Sequence, residues 1–359
     1  MRSLEELRQR IDQLDEQLVQ MLNERAKIVV EIGEIKRREK DAPPIYAPDR
    51  ERKVLNKVKA ANQGPLPDRS LMAIYRELMS SSFRLERSLR IAYLGPEGSF
   101  SHTAAMLKFG QSVEYHPLTS IHQVFDEIER KHCDMGIVPV ENSIAGGIIE
   151  TLDALIDSSA IICAEMLLAI HHNLLANCPQ NEIREIHSKP EIFTQCRQWL
   201  ATHMPQIPTI AAESSAHAAQ KASGKEHAAA IGSSTAAELY DIKLLCENIE
   251  DISNNITRFF AIGREPARPT GNDKTALVMS TAHKTGALVD VLQAFRDNDI
   301  NLANIESRPC KKREMEYYFF VDCFGHRDDD GIKKAIRIAK NHCLQLSILG
   351  SFPCADEVL

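Results

Sequence analysis

The 359-residue sequence predicts a multidomain protein with an all-α segment, an α/β segment containing parallel strands, and a small closing segment of βαββαβ order. Three observations predict it. Apolar residues recur three and four apart from Leu4 to Ile35; from Arg90 to about Gly263 short apolar runs alternate with helical stretches; and the proline-rich, charged REPARPTGNDK separates that alternation from a last set of strand-like and helix-like runs. The expected boundaries are 1–89, 90–265 and 274–355. The final segment is expected to be separable by a cut between Glu265 and Lys274.

Composition excludes several functions. At 43% hydrophobic and 26% charged, the chain reads as an ordinary soluble protein. A net charge of -7 gives no support to nucleic-acid binding. Met1 leads into charged helical sequence without an apolar signal core, and no apolar run is long enough to span a bilayer, so a cytoplasmic protein with no membrane partner is expected. Nine cysteines, from Cys133 to Cys354, include no CxxC pair and no Cys/His metal spacing. Neither a metal nor another cofactor is expected.

In the first segment Leu4, Leu7, Ile11, Leu14, Leu18, Met21, Ile28, Ile32 and Ile35 trace a coiled-coil-like seam on one long helix. Arg25 occupies the seam position between Met21 and Ile28, either as a register-setting polar residue or as a ligand-binding cation. Lys36 lies 11 residues on and returns to within about 20° of the same face, so both can address one anion. Arg8 is roughly 25 Å away along the helix and about 100° around it. It reaches that pocket only from an antiparallel partner helix in a dimer, and the long seam needs such a partner. DAPPIYAPD ends this helix, a second starts near Asp49, and Gly64, Pro65 and Pro67 precede a third over about Asp68 to Leu89. On that third helix Ser82 and Glu86 share a face. With Arg50 and Glu51 these residues describe a helical pocket for a small dianion, suited to electrostatic stabilisation and confinement.

LRQRIDQLDEQLVQMLNERAKIVVEIGEIK followed by PDRER resembles the AroQ-type chorismate mutase domain over about residues 1 to 90. The resemblance implies an intertwined helical dimer that rearranges chorismate to prephenate. It implies that Arg25 and Lys36 hold the substrate carboxylate and ether oxygen, that Arg8 crosses the dimer, and that Arg50, Glu51 and Ser82 are further pocket positions. Two departures stand out: Ala47 in a region where some members carry Asp, and Glu86 where enteric members carry Gln. A Gln amide donates a hydrogen bond to the ether oxygen at every pH, whereas Glu86 donates only when protonated.

The α/β segment opens with IAYLGPEGSFSHTAAMLKFG, a strand, a glycine-bearing loop and a helix start where Ser99, Ser101 and Thr103 cluster, a weak anion-site signal. The strand GIVPV delivers Glu141, Asn142 and Ser143 at its carboxyl end, where open α/β sheets bind ligands; helix capping explains the same residues equally well. His171, His172, His187 and His217 read as structural. ISNNITRFFAI is harder to explain, because Arg258 stands where a buried strand begins and an unpaired buried charge is costly. Its counter-ion is either a substrate carboxylate or an internal Glu or Asp.

Together GPEGSFSH, VPVENS and NITRFF resemble the prephenate dehydratase domain over about residues 90 to 265. The resemblance implies two α/β lobes similar to type 2 periplasmic binding proteins, with the site in the cleft. Thr257 is then the central catalytic residue, hydrogen-bonding the departing hydroxyl of prephenate while Glu141 or a neighbour supplies the proton. Arg258 would hold the pyruvyl carboxylate or shape the cleft. Beyond the linker, TALVMST, a helix from Gly286, INLANIES, EYYFFVDCF, a helix from Asp329 and LQLSILGSF give the ferredoxin-like order. Residues 274 to 355 resemble the ACT domain of prephenate dehydratases, whose GALV and ESRP signatures fall on Gly286, Ala287, Leu288 and Val289 and on Glu306, Ser307, Arg308 and Pro309.

The expected whole is a bifunctional chorismate mutase and prephenate dehydratase making phenylpyruvate under L-phenylalanine feedback, assembled as a homodimer or a higher oligomer. Two rivals are a non-catalytic amino-acid sensor and a mutase joined to prephenate dehydrogenase. The intact TRF and the cationic helical pocket oppose the first, and the missing dinucleotide fingerprint after IAYL opposes the second.

Overall fold

The computed structural model describes residues 2–38, 44–310 and 317–359, so part of the expected break after the first helix lies outside the described residues. Helix α1 spans Leu4–Arg38. A capping box starts it: Ser3 N donates to Glu6 Oε2 at 2.8 Å and Glu6 N to Ser3 Oγ at 3.2 Å. Lys36, Arg37 and Arg38 occupy its last turn, where cations suit the helix dipole. Helix α2 (Pro48–Ala61) begins on a proline, and α3 (Asp68–Glu86) ends three residues earlier than predicted because Arg87 is extended. Helix α1 packs on α3 through Val29 and Gly33; an added Cβ at Gly33 would lie 3.2 Å from Glu86 Cα. The apolar seam faces outward, with Leu4, Met21 and Ile28 all more than half exposed.

The α/β segment folds as two lobes. The first holds β1 (Arg90–Leu94), α4 (Phe100–Phe109), β2 (Glu114–Leu118), α5 (Ile121–Glu129), β3 (Met135–Asn142), β4 (Gly146–Gly147), α6 (Ile149–Asp157) and β5 (Ile161–Ala169). The second holds β6 (Asn173–Ala176), β7 (Glu185–Ser188), α7 (Pro190–Gln195), α8 (Arg197–His203), β8 (Thr209–Ala211), α9 (Ser215–Ser223), β9 (Ala228–Gly232), α10 (Ser234–Leu239) and β10 (Leu244–Cys246). The chain then returns through β11 (Ile256–Gly263), which inserts antiparallel between β3 and β5 of the first sheet, ordered β2-β1-β3-β11-β5. The second sheet runs β10-β6-β9-β7-β8. The helix-like stretch EIFTQCRQWLATHM, 191–204, is broken at Cys196: the Asp251 carboxylate accepts from the backbone N of Gln198 and Trp199 and so starts α8 afresh.

The last segment comprises β12 (Asp273–Ser280), α11 (Ala287–Arg296), β13 (Leu302–Pro309), β14 (Tyr317–Phe324), α12 (Asp330–Lys340) and β15 (Gln345–Pro353), in sheet order β13-β14-β12-β15. Period-two alternation gives this sheet two buried faces. Leu277, Met279, Val321 and Cys323 pack on α11 and α12. Ala276, Val278, Phe320 and Phe352 share one core with Val138, Ile162 and Phe260 of the first lobe. At Gly350 the sheets approach so closely that a Cβ would sit 2.2 Å from the Ile162 carbonyl oxygen. The supposed linker is therefore a packed junction, with Ala267 buried and accepting a contact from His326 Nε2 at 3.1 Å. A cut there would strip a core rather than release a module.

Candidate functional sites

Four of the predicted helical residues meet where α1 crosses α3. Arg25 donates to Ser82 Oγ at 2.8 Å, and Ser82 in turn donates to the Leu78 carbonyl at 2.6 Å. Eleven residues on, Lys36 pairs with Glu86 at 2.9 Å. The 11-residue spacing thus puts both cations on one face, as periodicity required. Arg25, Lys36, Arg50, Glu51, Ser82 and Glu86 all line one cavity of about 630 Å³. Ala47, extended at the start of α2, lines it too. Arg8 does not; it lies on the exposed part of α1. The far wall comes from outside the helical segment, including Asp134, Cys163, Arg264 and Arg268. Nothing in the sequence signalled that wall.

In the α/β segment the register of β3 and β11 sorts the predicted residues. Thr257 is opposite Asn142, and Arg258 is opposite Glu141. Residues opposite each other in an antiparallel pair share a face, and neighbours along a strand do not. Asn142 Nδ2 donates to Thr257 Oγ1 at 2.9 Å and to Asn255 Oδ1 at 2.7 Å, while Asn142 Oδ1 accepts from Ile144 N and Ala145 N. Ser143 donates to the Asn254 carbonyl and accepts from Ile256 N, tying the two strand ends together. Thr257 is therefore buried against a locked amide.

Arg258 points the other way. Its Nε and Nη2 donate to Glu165 Oε2 at 2.9 and 2.7 Å, and its Nη1 donates to Asp322 of β14. Glu165 also accepts from Lys274 Nζ at 2.8 Å and Ala355 N at 2.9 Å. The Arg258 guanidinium stacks 4.7 Å from the Phe260 ring centroid. Burial would lower the Arg258 pKa, but Asp322 and Glu165 outweigh it and hold the cation above its ordinary range. Burial would raise Glu165, yet Arg258 and Lys274 bring it below the usual carboxylate range. Of the two counter-ions open to Arg258, the internal carboxylates are the ones present. The expected clamp on a pyruvyl carboxylate is thereby corrected, because every guanidinium nitrogen is engaged on the face away from Thr257. Glu141 lies on that same face, near Glu306, so it is not set beside the Thr257 hydroxyl.

The remaining motif residues divide similarly. A cavity of about 230 Å³ is lined by Gly286, Ala287, Leu288 and Val289 together with Tyr317 and Phe319. Gly286 caps α11 at φ +79°, and that conformation is its reason to be glycine, since a Cβ there would meet nothing. In β13, Ser307 and Pro309 stand opposite Phe319 and Tyr317, on the side of that cavity. Glu306 and Arg308 face the first lobe instead: Glu306 abuts Gly147, and Arg308 pairs with Asp153 at 3.2 Å. Burial, then Glu141, raises the Glu306 pKa against the pull of Arg308. The four histidines are paired, His171 with Glu250, His172 with Gln195, His187 with Glu185 and His217 with Glu213. Ser99 caps α4, and Thr103 Oγ1 donates to Thr235 Oγ1 across the lobes at 2.9 Å.

Among the described residues no helix is long and apolar enough to cross a membrane. Family models match in the same three segments: Chorismate mutase type II over residues 7–87, Prephenate dehydratase over 91–267 and ACT domain over 275–341. A bifunctional chorismate mutase/prephenate dehydratase of Aquifex aeolicus is 40% identical over 360 residues, covering 99% of this chain and 99% of its own length. One from Pseudomonas aeruginosa is 40% identical over 357 residues, with 98% of each chain covered. Among solved structures, a prephenate dehydratase from Arthrobacter aurescens in complex with L-Phe is 30% identical with a TM-score of 0.68, over 75% of this chain and 91% of that one.

Proposed function

We propose how this chain works from one premise: it belongs to the bifunctional chorismate mutase/prephenate dehydratase family. It rearranges chorismate to prephenate, then decarboxylates and dehydrates prephenate to phenylpyruvate, and its ACT domain brings feedback inhibition by L-phenylalanine.

In the mutase step Arg25 and Lys36 hold the substrate's carboxylate and ether oxygen. Chorismate then competes with Glu86 for the Lys36 ammonium. Arg8 enters from a second copy, a reading supported by its distance from the cavity and by the uncovered apolar seam of α1, so the working unit is at least a homodimer. The enzyme acts in the cytoplasm.

In the dehydratase step Thr257 Oγ1 already accepts from Asn142, which directs its own hydrogen elsewhere, toward the hydroxyl leaving the ring. That oxygen departs as hydroxide while carbon dioxide is lost and the ring becomes aromatic, so a hydrogen bond aimed at it lowers the barrier. Arg258 ties the Thr257 strand to the ACT sheet through Asp322, and feedback passes along that tie. L-phenylalanine occupies the Gly286–Val289 cavity beside Ser307 and Pro309.

The observation that carries this reading is that two chemically different sites stand assembled from separate elements, a cationic pocket between α1 and α3 and a Thr-Asn pair between β3 and β11. Chorismate supplied without nucleotide should yield phenylpyruvate. Accumulation of prephenate alone would refute the dehydratase assignment, and unchanged chorismate would refute the mutase assignment.

A further inference from the structure

The mutase cavity is closed on one side by the dehydratase domain, and one residue there reaches a predicted mutase residue. Glu51 Oε2 accepts from Tyr46 OH at 2.9 Å and from Lys108 Nζ at 2.8 Å. Lys108 lies in the last turn of α4, in the dehydratase domain, yet both its side chain and that of Glu51 are largely buried, at 19% and 11% exposure. The grip is doubled, because Phe109 packs its ring edge-on against Tyr46 with centroids 5.0 Å apart, and Lys108 Nζ stands 5.8 Å from the centroid of the same ring. Consecutive residues of α4 thus hold the entry to α2 by one apolar and one ionic contact. Both bonds use Oε2 and leave Oε1 for the cavity that Glu51 lines.

Charge explains why a lysine belongs there. The side chains lining the cavity comprise six cations and five carboxylates, one net positive charge. Chorismate brings two negative charges. An uncompensated Glu51 carboxylate would repel that dianion, and Lys108 behind it raises the local balance to two positive charges without occupying the cavity. We propose that Lys108 is a positioning residue for the mutase reaction, holding Glu51 in place and neutralising its charge so that the dianionic substrate can bind. This rests on the assignment of Glu51 to the mutase pocket. One consequence is that the mutase domain depends in cis on its neighbour in the chain.

The test uses the full chain and assays chorismate and prephenate separately. Lys108→Met should raise the chorismate KM roughly tenfold, ~1.4 kcal/mol, with a smaller change in kcat. Dehydratase kcat/KM on prephenate should stay unchanged, and Lys108→Arg should restore the mutase KM. In a Glu51→Gln background, where no carboxylate remains to neutralise, Lys108→Met should add nothing. An unchanged KM in Lys108→Met beside an impaired Glu51→Gln overturns the proposal alone. A silent Glu51→Gln overturns the pocket assignment and the proposal with it. Equal loss of both activities, unrestored by arginine, would make Lys108 a residue of general stability and also overturn it.

Discussion

Asp322→Ala removes one of two carboxylates that hold Arg258, and the structure sets the size of the effect. Arg258 and Lys274 face Glu165 and Asp322, four charges that cancel in a site where Arg258 is only 8% exposed. Without Asp322 one positive charge is uncompensated. Breaking a buried pair from one side costs about 3–5 kcal/mol, and the two bonds retained to Glu165 argue for the lower end, about 3 kcal/mol. That is a large part of the ~5–15 kcal/mol that stabilises a domain. Asp322→Asn keeps an acceptor and should cost less, about 1–2 kcal/mol. Both variants loosen the tie between the Thr257 strand and the ACT sheet, so the phenylalanine concentration for half-inhibition should rise about tenfold, within the usual 1–3 kcal/mol range of coupling energies. Urea titration of the folded enzyme gives the stability change, and prephenate dehydration against phenylalanine gives the coupling. A loss below ~1 kcal/mol in Asp322→Ala together with unaltered inhibition would refute the argument that Arg258 is that tie.

Three other outcomes are expected. Thr257→Ala should abolish prephenate dehydration and spare chorismate rearrangement, and Arg25→Ala should do the reverse, as single-substrate assays will tell; a joint loss in either folded variant would contradict separate sites. Glu165 has a folded pKa below its unfolded value, so its contribution to stability is complete above the ordinary carboxylate range and disappears as pH falls through the folded pKa; acid titration of unfolding should show this loss in the wild type and a smaller one in Glu165→Gln. Glu86→Gln releases the Lys36 ammonium and supplies an amide donor, so mutase kcat/KM should rise several-fold with dehydratase activity unchanged, as separate assays on chorismate and prephenate will read.

Much of this was legible in the sequence because local rules govern it. The seam of α1, the face shared by Arg25 and Lys36, the order of the last six elements and the positions of TRF and VPVENS follow from periodicity, turns and motif. One further signal lies in the strand geometry. Neighbours in a strand point to opposite faces, so Thr257 with Arg258, and Asn142 with Glu141, could not all line one cleft. Which face met which partner depended on pairing at a distance: Glu165 is 93 residues from Arg258 and Asp322 is 64. Lys108 meets Glu51 across 57 residues. The junction at 264–273 misled for another reason, since proline and charge mark irregular backbone without telling whether that backbone is covered.

The alternation in β13 has a consequence for how the chain can vary. Ser307 and Pro309 look toward the Gly286–Val289 cavity, whereas Glu306 and Arg308 look toward the first lobe. On the proposed reading, residues that meet the effector alternate with residues that meet the substrate domain on a single strand, and ordering one set fixes the other without any intervening hinge. Such a device is intolerant of odd-numbered length changes. Inserting one residue between Leu302 and Glu306 would turn the carboxylate and guanidinium toward that cavity and present a hydroxyl and a proline ring to Gly147 and Asp153. An insertion of two would restore the facing of every side chain, so chains that keep this mode of control should differ in length here only by even numbers.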